Sequence, residues 1–285
     1  MVRRGPVGPG PFRLAAYHHD RSGFLTGVPI ASASRRTASS AVSWCLGATG
    51  ATAAMVALCW AEALIARSGP RLCMSPPTSD GLHGPGEAAP LRVVWLGDSL
   101  AVGVGVDQLD ELPAVQLAHQ LGHRCEVRVR AVPGATSADV VALQLRDAEL
   151  SYADIVVVQV GANDVAGMTS RRRFRANYRR ILAAAAGRTV VCVGIPDFSA
   201  AARLAEPLRT VAGARGRMLD AVVRSEARAA DCVYVDISSR PADLDRAATR
   251  SLLSSDRYHP GPSGYAIWAR QIAETLQAAA LASAA

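Results

Sequence analysis

The sequence predicts an α/β fold: a five-stranded, mainly parallel sheet with helices on both faces, preceded by an N-terminal apolar helix. Three observations predict it. Five short apolar runs rich in β-branched residues recur between residues 92 and 236. Helical patterns separate them, as crossovers between parallel strands require. Half of the 285 residues are hydrophobic and only 5% are aromatic, enough for a sizeable core made mostly of Ala, Val and Leu.

The elements follow in chain order. Residues 1–36 are rich in Gly, Pro, Ser and Arg without periodicity and read as a basic disordered arm, His18 and His19 included. Residues 1–40 carry six arginines against Asp20 alone, so five of the net seven positive charges precede the fold. A nucleic-acid-binding domain concentrates its charge on the folded part, so no nucleic acid partner is expected. No charged residue occurs between Thr37 and Ala61, and the stretch 41–60 has about the length that crosses a hydrocarbon layer.

Residues 37–66 therefore read as a signal anchor with the arginine arm inside, or as a cleaved signal peptide. An Ala-rich soluble helix is the remaining reading. Ala61-Glu62-Ala63 is a poor cleavage site, and the bulky Leu58 before Cys59 argues against a lipoprotein signal. The expected location is exported: anchored in the cell membrane through 37–66, or secreted. Residues 67–90 have linker composition, with Ser75-Pro76-Pro77-Thr78-Ser79 and Gly84-Pro85-Gly86. The folded domain is expected over 91–285.

Within it, strands are expected at 92–96, 126–132, 154–160, 189–195 and 232–236. Helices are expected at 113–121, 137–145, 171–186, 206–229 and 263–280. The last has a well-marked start: Pro262, a Ser263 cap, then Tyr265, Ile267, Trp268 and Ile272 at helical spacing. The six cysteines form no Cys-x-x-Cys or Cys/His cluster, so no metal centre is expected. Cys192 and Cys232 fall inside strands as reduced thiols, and Cys73 and Cys125 are unassigned.

The residues that carry chemistry lie just past the strand ends. The apolar run from Val93 to Leu96 stops at Gly97-Asp98-Ser99, which leaves Ser99 at the carboxyl end of its strand. Reacting groups collect there in open α/β sheets. Pro133-Gly134-Ala135-Thr136 follows the second strand, and Gly161-Ala162-Asn163-Asp164 the third. Asp256-Arg257-Tyr258-His259-Pro260 comes near the C-terminus. The carboxyl ends of parallel strands share one edge, so these loops converge.

A serine nucleophile needs a base, an orienter for that base, and donors for the oxyanion. His259 is the only histidine after His123, and Asp256 lies three residues before it, so one turn of chain presents both. Asp256 would hold His259 in the tautomer that accepts the Ser99 proton. Gly134 has no side chain to block its N–H, and Asn163 offers a neutral amide donor. Asp98 reads as shaping the turn. Singly, each has a structural alternative: Gly134 in a turn, Asn163 and Asp164 as turn and cap, Asp256 as a cap, His259 on the surface. Jointly, four motifs in one order on one edge point to acyl chemistry.

In these motifs the chain resembles the SGNH hydrolases of the GDSL esterase/lipase superfamily. Gly97-Asp98-Ser99 matches the nucleophile block, Gly134 the second, Gly161-x-Asn163-Asp164 the third and Asp256-x-x-His259-Pro260 the last, with Gly264-Tyr265 as its usual continuation. The resemblance covers roughly residues 91–280. It implies a flavodoxin-like three-layer α/β/α fold with strand order 2-1-3-4-5, and an oxyanion hole made by the Ser99 N–H, the Gly134 N–H and Asn163. No Gly-x-Ser-x-Gly elbow occurs, which disfavours the large α/β-hydrolase fold.

The expected function is a serine esterase acting on small-molecule, lipid or carbohydrate esters, with Ser99 as nucleophile, His259 as base and Asp256 as orienter. No metal or organic cofactor is called for. Alternatives on the same site are thioester hydrolysis, carbohydrate deacetylation and acyl transfer; a non-catalytic envelope-binding module is a further one. Gly103 and Gly105 suggest a first helix that begins late or irregularly. The absence of a long insertion suggests an open, shallow site suited to short acyl groups. Arg171-Arg172-Arg173-Phe174-Arg175 reads as a solvated face, with attraction of an anionic substrate or surface as the alternative.

Overall fold

Successive side chains of a strand point to opposite faces, and here both faces are buried. Val93 and Trp95 enter one apolar cluster, Val94 and Leu96 the other, and all four are at most 2% exposed. The computed structural model describes Leu58 and residues 76–201, 203–238 and 251–284, all within the unit formed by residues 50–285. The strands are β1 (Gly81–His83), β2 (Leu91–Gly97), β3 (Cys125–Val129), β4 (Ile155–Gln159), β5 (Thr189–Val193) and β6 (Val233–Val235). They form one sheet in the order β1-β3-β2-β4-β5-β6. β2 to β6 are parallel, and their order is the 2-1-3-4-5 that the resemblance implies.

Four helices matter for the layers: α2 (Pro113–Leu121), α5 (Arg171–Ala184), α6 (Leu208–Ala229) and α7 (Pro262–Ala284). Leu117 of α2 and Ile272 of α7 pack with Val93, Trp95 and Val157 on one face. Phe174, Tyr178 and Ile181 of α5 and Leu219 and Val223 of α6 pack with Val94, Val156 and Val158 on the other. Two short helices follow strand ends at the carboxyl edge. α1 (Ser99–Val102) follows β2, and α4 (Ala162–Ala166) follows β4. A helical segment, α3, starts at Ser137–Asp139, passes through a π-helical stretch Val140–Gln144 and ends at Leu145–Asp147.

Three expectations change. The stretch 67–90, read as linker, supplies β1, which pairs antiparallel with the outer edge of β3. Asp80 fastens it there by accepting from the Val129 N–H and pairing with Arg130. The sheet is therefore mixed and six-stranded. The first helix does not begin late. It starts at Ser99 itself and stops after four residues at Gly103, in the left-handed conformation. Gly105 has a different reason: a Cβ there would lie 2.3 Å from the Pro260 carbonyl oxygen, so its absence lets the His259 segment pack against the Ser99 segment.

Arg171, Arg172 and Arg173 are exposed as a solvated face should be, but Arg175 pairs with the buried Glu226 of α6. The expected anchor, 37–66, lies outside the described residues apart from Leu58, as do the arm 1–36 and Cys73. Among the described residues no helix is long and apolar enough to cross a membrane.

Candidate active site

β2 delivers Ser99 by ending in a cap. Asp98 is the N-cap of α1, and its Oδ1 accepts from the Leu100 N–H at 3.0 Å. Ser99 is thus the first helical residue, and its N–H belongs to the first turn, where N–H groups have no partner within the helix. Its side chain meets the segment that precedes α7. His259 Nε2 lies 3.1 Å from Ser99 Oγ, and His259 Nδ1 lies 2.7 Å from Asp256 Oδ2.

The direction of these bonds follows from Asp256. Burial opposes its charge, but hydrogen bonds from the His259 side chain and backbone, Ser254 and Tyr258 outweigh that and hold it well below the usual carboxylate range. An ionised carboxylate only accepts, so Nδ1 carries the proton and Nε2 is left to accept from the Ser99 hydroxyl. The Asp256 Oδ1 atom accepts from Ser254 Oγ and from the N–H groups of Tyr258 and His259, at 2.8 to 2.9 Å. Ser254 escaped the sequence reading, although a serine two residues before an aspartate in a turn is a usable signal. Tyr258 also escaped it; its ring meets the imidazole edge-on with centroids 5.1 Å apart.

The donors expected beside the serine come from two loops. Gly134 follows Pro133 in a turn closed by the Ala135 N–H to the Val132 carbonyl at 3.0 Å. Its φ of +84° suits the third position of a type II turn, and a Cβ there would meet nothing within 4 Å. Asn163 sits in the first turn of α4, and its Nδ2 donates one hydrogen to the Ala135 carbonyl at 3.0 Å. That bond fixes the amide beside the Gly134 turn and leaves its second hydrogen for a ligand. Asp164 plays a different part. Buried, it accepts from the Ser137 N–H and hydroxyl at 2.7 and 2.8 Å and so ties α4 to the start of α3. Burial raises its pKa.

Asp98 is more than a turn former. It is fully buried, and burial lifts its pKa to about 7, partly offset by the Leu100 N–H and by the nearby His259. An unfolded Asp titrates near 4, so between about pH 4 and pH 7 the folded chain keeps a proton the unfolded chain has lost. Stability therefore falls as pH rises through that window. Asp98→Asn is expected to gain on the parent across it, by up to about 4 kcal/mol above pH 7. Urea midpoints from pH 4 to 8 check this, and a difference independent of pH would contradict it.

A cavity of about 270 Å³ opens beside His259. Val165, Met168, Phe198, Leu204, Val211 and Tyr258 line it, so its wall is mainly apolar. Arg215 of α6 donates to the Val165 and Thr169 carbonyls and closes the gap between α4 and α6. Phe198, Leu204, Val211 and Arg215 thus give the site a mainly apolar wall without any long insertion.

Known proteins are similar to this chain. The model of the GDSL-like Lipase/Acylhydrolase family matches residues 95–267. A GDSL-like esterase of Mycobacterium tuberculosis, Rv1075c, is 32% identical over 220 residues, which cover 70% of this chain and 68% of that protein. Among solved structures, a lipase/acylhydrolase from Enterococcus faecalis is similar with a TM-score of 0.54 at 18% identity, over 66% of this chain and 96% of that one. TesA is similar with a TM-score of 0.52 at 18% identity, over 65% of this chain and 97% of that one.

Proposed function

This chain belongs to the GDSL-like lipase/acylhydrolase family and is an ester hydrolase, and we propose that it cleaves carboxylic esters of medium-length acyl chains through Ser99, His259 and Asp256. One observation carries the reading. A single imidazole spans from Ser99 Oγ, at 3.1 Å, to the Asp256 carboxylate, at 2.7 Å, in the tautomer a general base needs.

The steps follow from these groups. Ser99 Oγ attacks the ester carbonyl as its proton moves to His259 Nε2. The Ser99 and Gly134 N–H groups and the free hydrogen of Asn163 Nδ2 hold the tetrahedral oxyanion. The intermediate collapses as the imidazolium gives its proton to the leaving alcohol, and the acyl group stays on Ser99. Water, deprotonated by the same histidine, attacks the acyl-enzyme and releases the acid. Asp256 keeps the imidazole oriented and offsets its charge in both halves.

The apolar cavity supports the choice of substrate. At about 270 Å³, with a mainly apolar wall, it has room for more than an acetyl group. This supports a fatty acyl ester over an acetylated carbohydrate, with a longer acyl chain than the short one expected from the loops. The arginine-rich arm ahead of the uncharged stretch supports export, with the hydrolase acting outside the membrane.

The test is a p-nitrophenyl ester series from acetate to palmitate with the full chain. The rate constant kcat/KM is expected to rise to a maximum at about six to eight carbons, as the cavity fills. Val211→Trp, which narrows the cavity, should move the maximum to shorter chains. A maximum at acetate in the parent would return the short-chain reading.

A further inference from the structure

A buried glutamine grips the strand end that carries the nucleophile. Gln144, 4% exposed, ends the π-helical stretch of α3. Its Oε1 accepts from the Gly97 N–H at 2.9 Å, and its Nε2 donates to the Gly97 carbonyl at 2.7 Å. Two bonds to one residue's N–H and C=O are what a paired strand residue makes. On the β3 side the partner strand ends before this point for a visible reason. β3 pairs with β2 as far as Trp95, and only the Val132 N–H still reaches the Gly97 carbonyl, at 3.2 Å. The chain then turns away through Pro133 and Gly134. The Gln144 side chain takes the place the departing strand vacates.

The geometry matters because of what each end of α3 holds. Its start, immediately after the Gly134 turn, is fixed by the Thr136–Asp139 capping box and by Ser137 on Asp164, next to Asn163. Its π-helical end is fixed on Gly97, two residues before Ser99. A π turn inserts a residue into the helix and re-aims the side chains around it, and such turns recur at functional sites. Here Gln144 is aimed into the sheet edge although its neighbour Leu143 is 56% exposed.

We propose that Gln144 is a positioning residue of the oxyanion hole: through Gly97 and α3 it sets the spacing between the Ser99 N–H and the Gly134 N–H. This rests on the esterase reading above. An oxyanion gains from two donors only when both reach the same point, and a displacement near 1 Å costs about a hundredfold in rate. Gln144 touches no substrate, so ground-state binding is left alone.

The experiment compares Gln144→Leu and Gln144→Glu with the parent on the best p-nitrophenyl ester, with an alkylboronic acid as a tetrahedral mimic. The expected result for Gln144→Leu is a loss of about 10- to 100-fold in kcat with KM within twofold. The boronic acid's inhibition constant should weaken in proportion to that loss. In Gln144→Glu the introduced carboxyl must be protonated to restore both bonds to Gly97, so the ratio of this variant's activity to the parent's should climb as pH falls from 8 to 5. If Gln144→Leu is not recovered folded, the pH ratio of the glutamate variant decides. Unchanged kcat and boronate affinity beside a lowered melting temperature overturns the proposal, as does a change in KM alone. A parent inert on every ester and unlabelled by a fluorophosphonate would instead remove the esterase reading itself, a distinct failure.

Discussion

Ser99→Ala and His259→Ala are each expected to lower kcat on a carboxylic ester by about a millionfold, with the double variant no worse than either. The expectation follows from how the two side chains share one event. Without the Ser99 hydroxyl no acyl-enzyme forms, and without His259 Nε2, 3.1 Å away, the hydroxyl stays protonated and poorly nucleophilic. Removing one therefore removes what the other contributes, which is why the losses do not add. Ser99 is small and the change deletes a single oxygen, so Ser99→Ala should unfold at the parent's urea midpoint. Single-turnover kinetics and fluorophosphonate labelling measure both points. Labelling of Ser99→Ala, or kcat within tenfold of the parent for either variant, would place the nucleophile or the base elsewhere.

Asp256→Asn is expected to lower kcat by about ten-thousandfold while leaving the loop in place. The substitution separates two jobs of one carboxylate. Its Oδ1 holds the turn, accepting from Ser254, Tyr258 and His259, and an amide oxygen can do the same. Its Oδ2 accepts from His259 Nδ1, and an amide nitrogen there cannot. The imidazole then turns to the tautomer with its proton on Nε2, facing Ser99, where it no longer accepts. Asp256→Ala adds a loosened turn and should lower the melting temperature as well. The comparison needs circular dichroism melts beside kcat. An asparagine variant within tenfold of the parent would reduce Asp256 to a structural residue.

Much of this arrangement was legible in the chain because burial on both faces writes itself into composition. The run Val93-Val94-Trp95-Leu96 and its counterparts at 155–158 and 190–193 are apolar without a break, and the structure sends alternate members to opposite clusters. The helix at Pro113–Leu121 is bounded by Pro and by a left-handed Gly122, and its expected limits are those found. The site was legible for a different reason. One histidine past His123, with an aspartate one turn before it, leaves few ways to complete a serine nucleophile, and the structure brings Ser99, Asp256 and His259 together.

What stayed hidden depends on contacts between distant segments. β1 is three residues long, Gly81-Leu82-His83, and holds no apolar pattern, because an edge strand pairs on one side only. The π-helical stretch at Val140–Gln144 has no local signal, since nothing in its sequence records that Gln144 is drawn onto Gly97. The cavity wall comes from Phe198, Leu204 and Val211, side chains that look like ordinary core residues until α4 is set against them. The Gly103-x-Gly105 pair is visible in the sequence but has two separate causes: one ends a helix and the other admits a carbonyl from 155 residues later.

That long-range approach bears on how the enzyme is made. Ser99 stands after the first parallel strand and His259 after the last, 160 positions on, with α7 still to follow. Tyr265 of α7 donates from its buried hydroxyl to the Val104 carbonyl, so the final helix pins the Ser99 segment from across the domain. During synthesis the nucleophile leaves the ribosome long before its base, and a chain caught midway carries a serine without reactivity. On the proposed mechanism, hydrolysis requires that the His259 segment has docked beside Ser99. The order of the chain thus separates the synthesis of the serine from that of the histidine it pairs with by 160 residues.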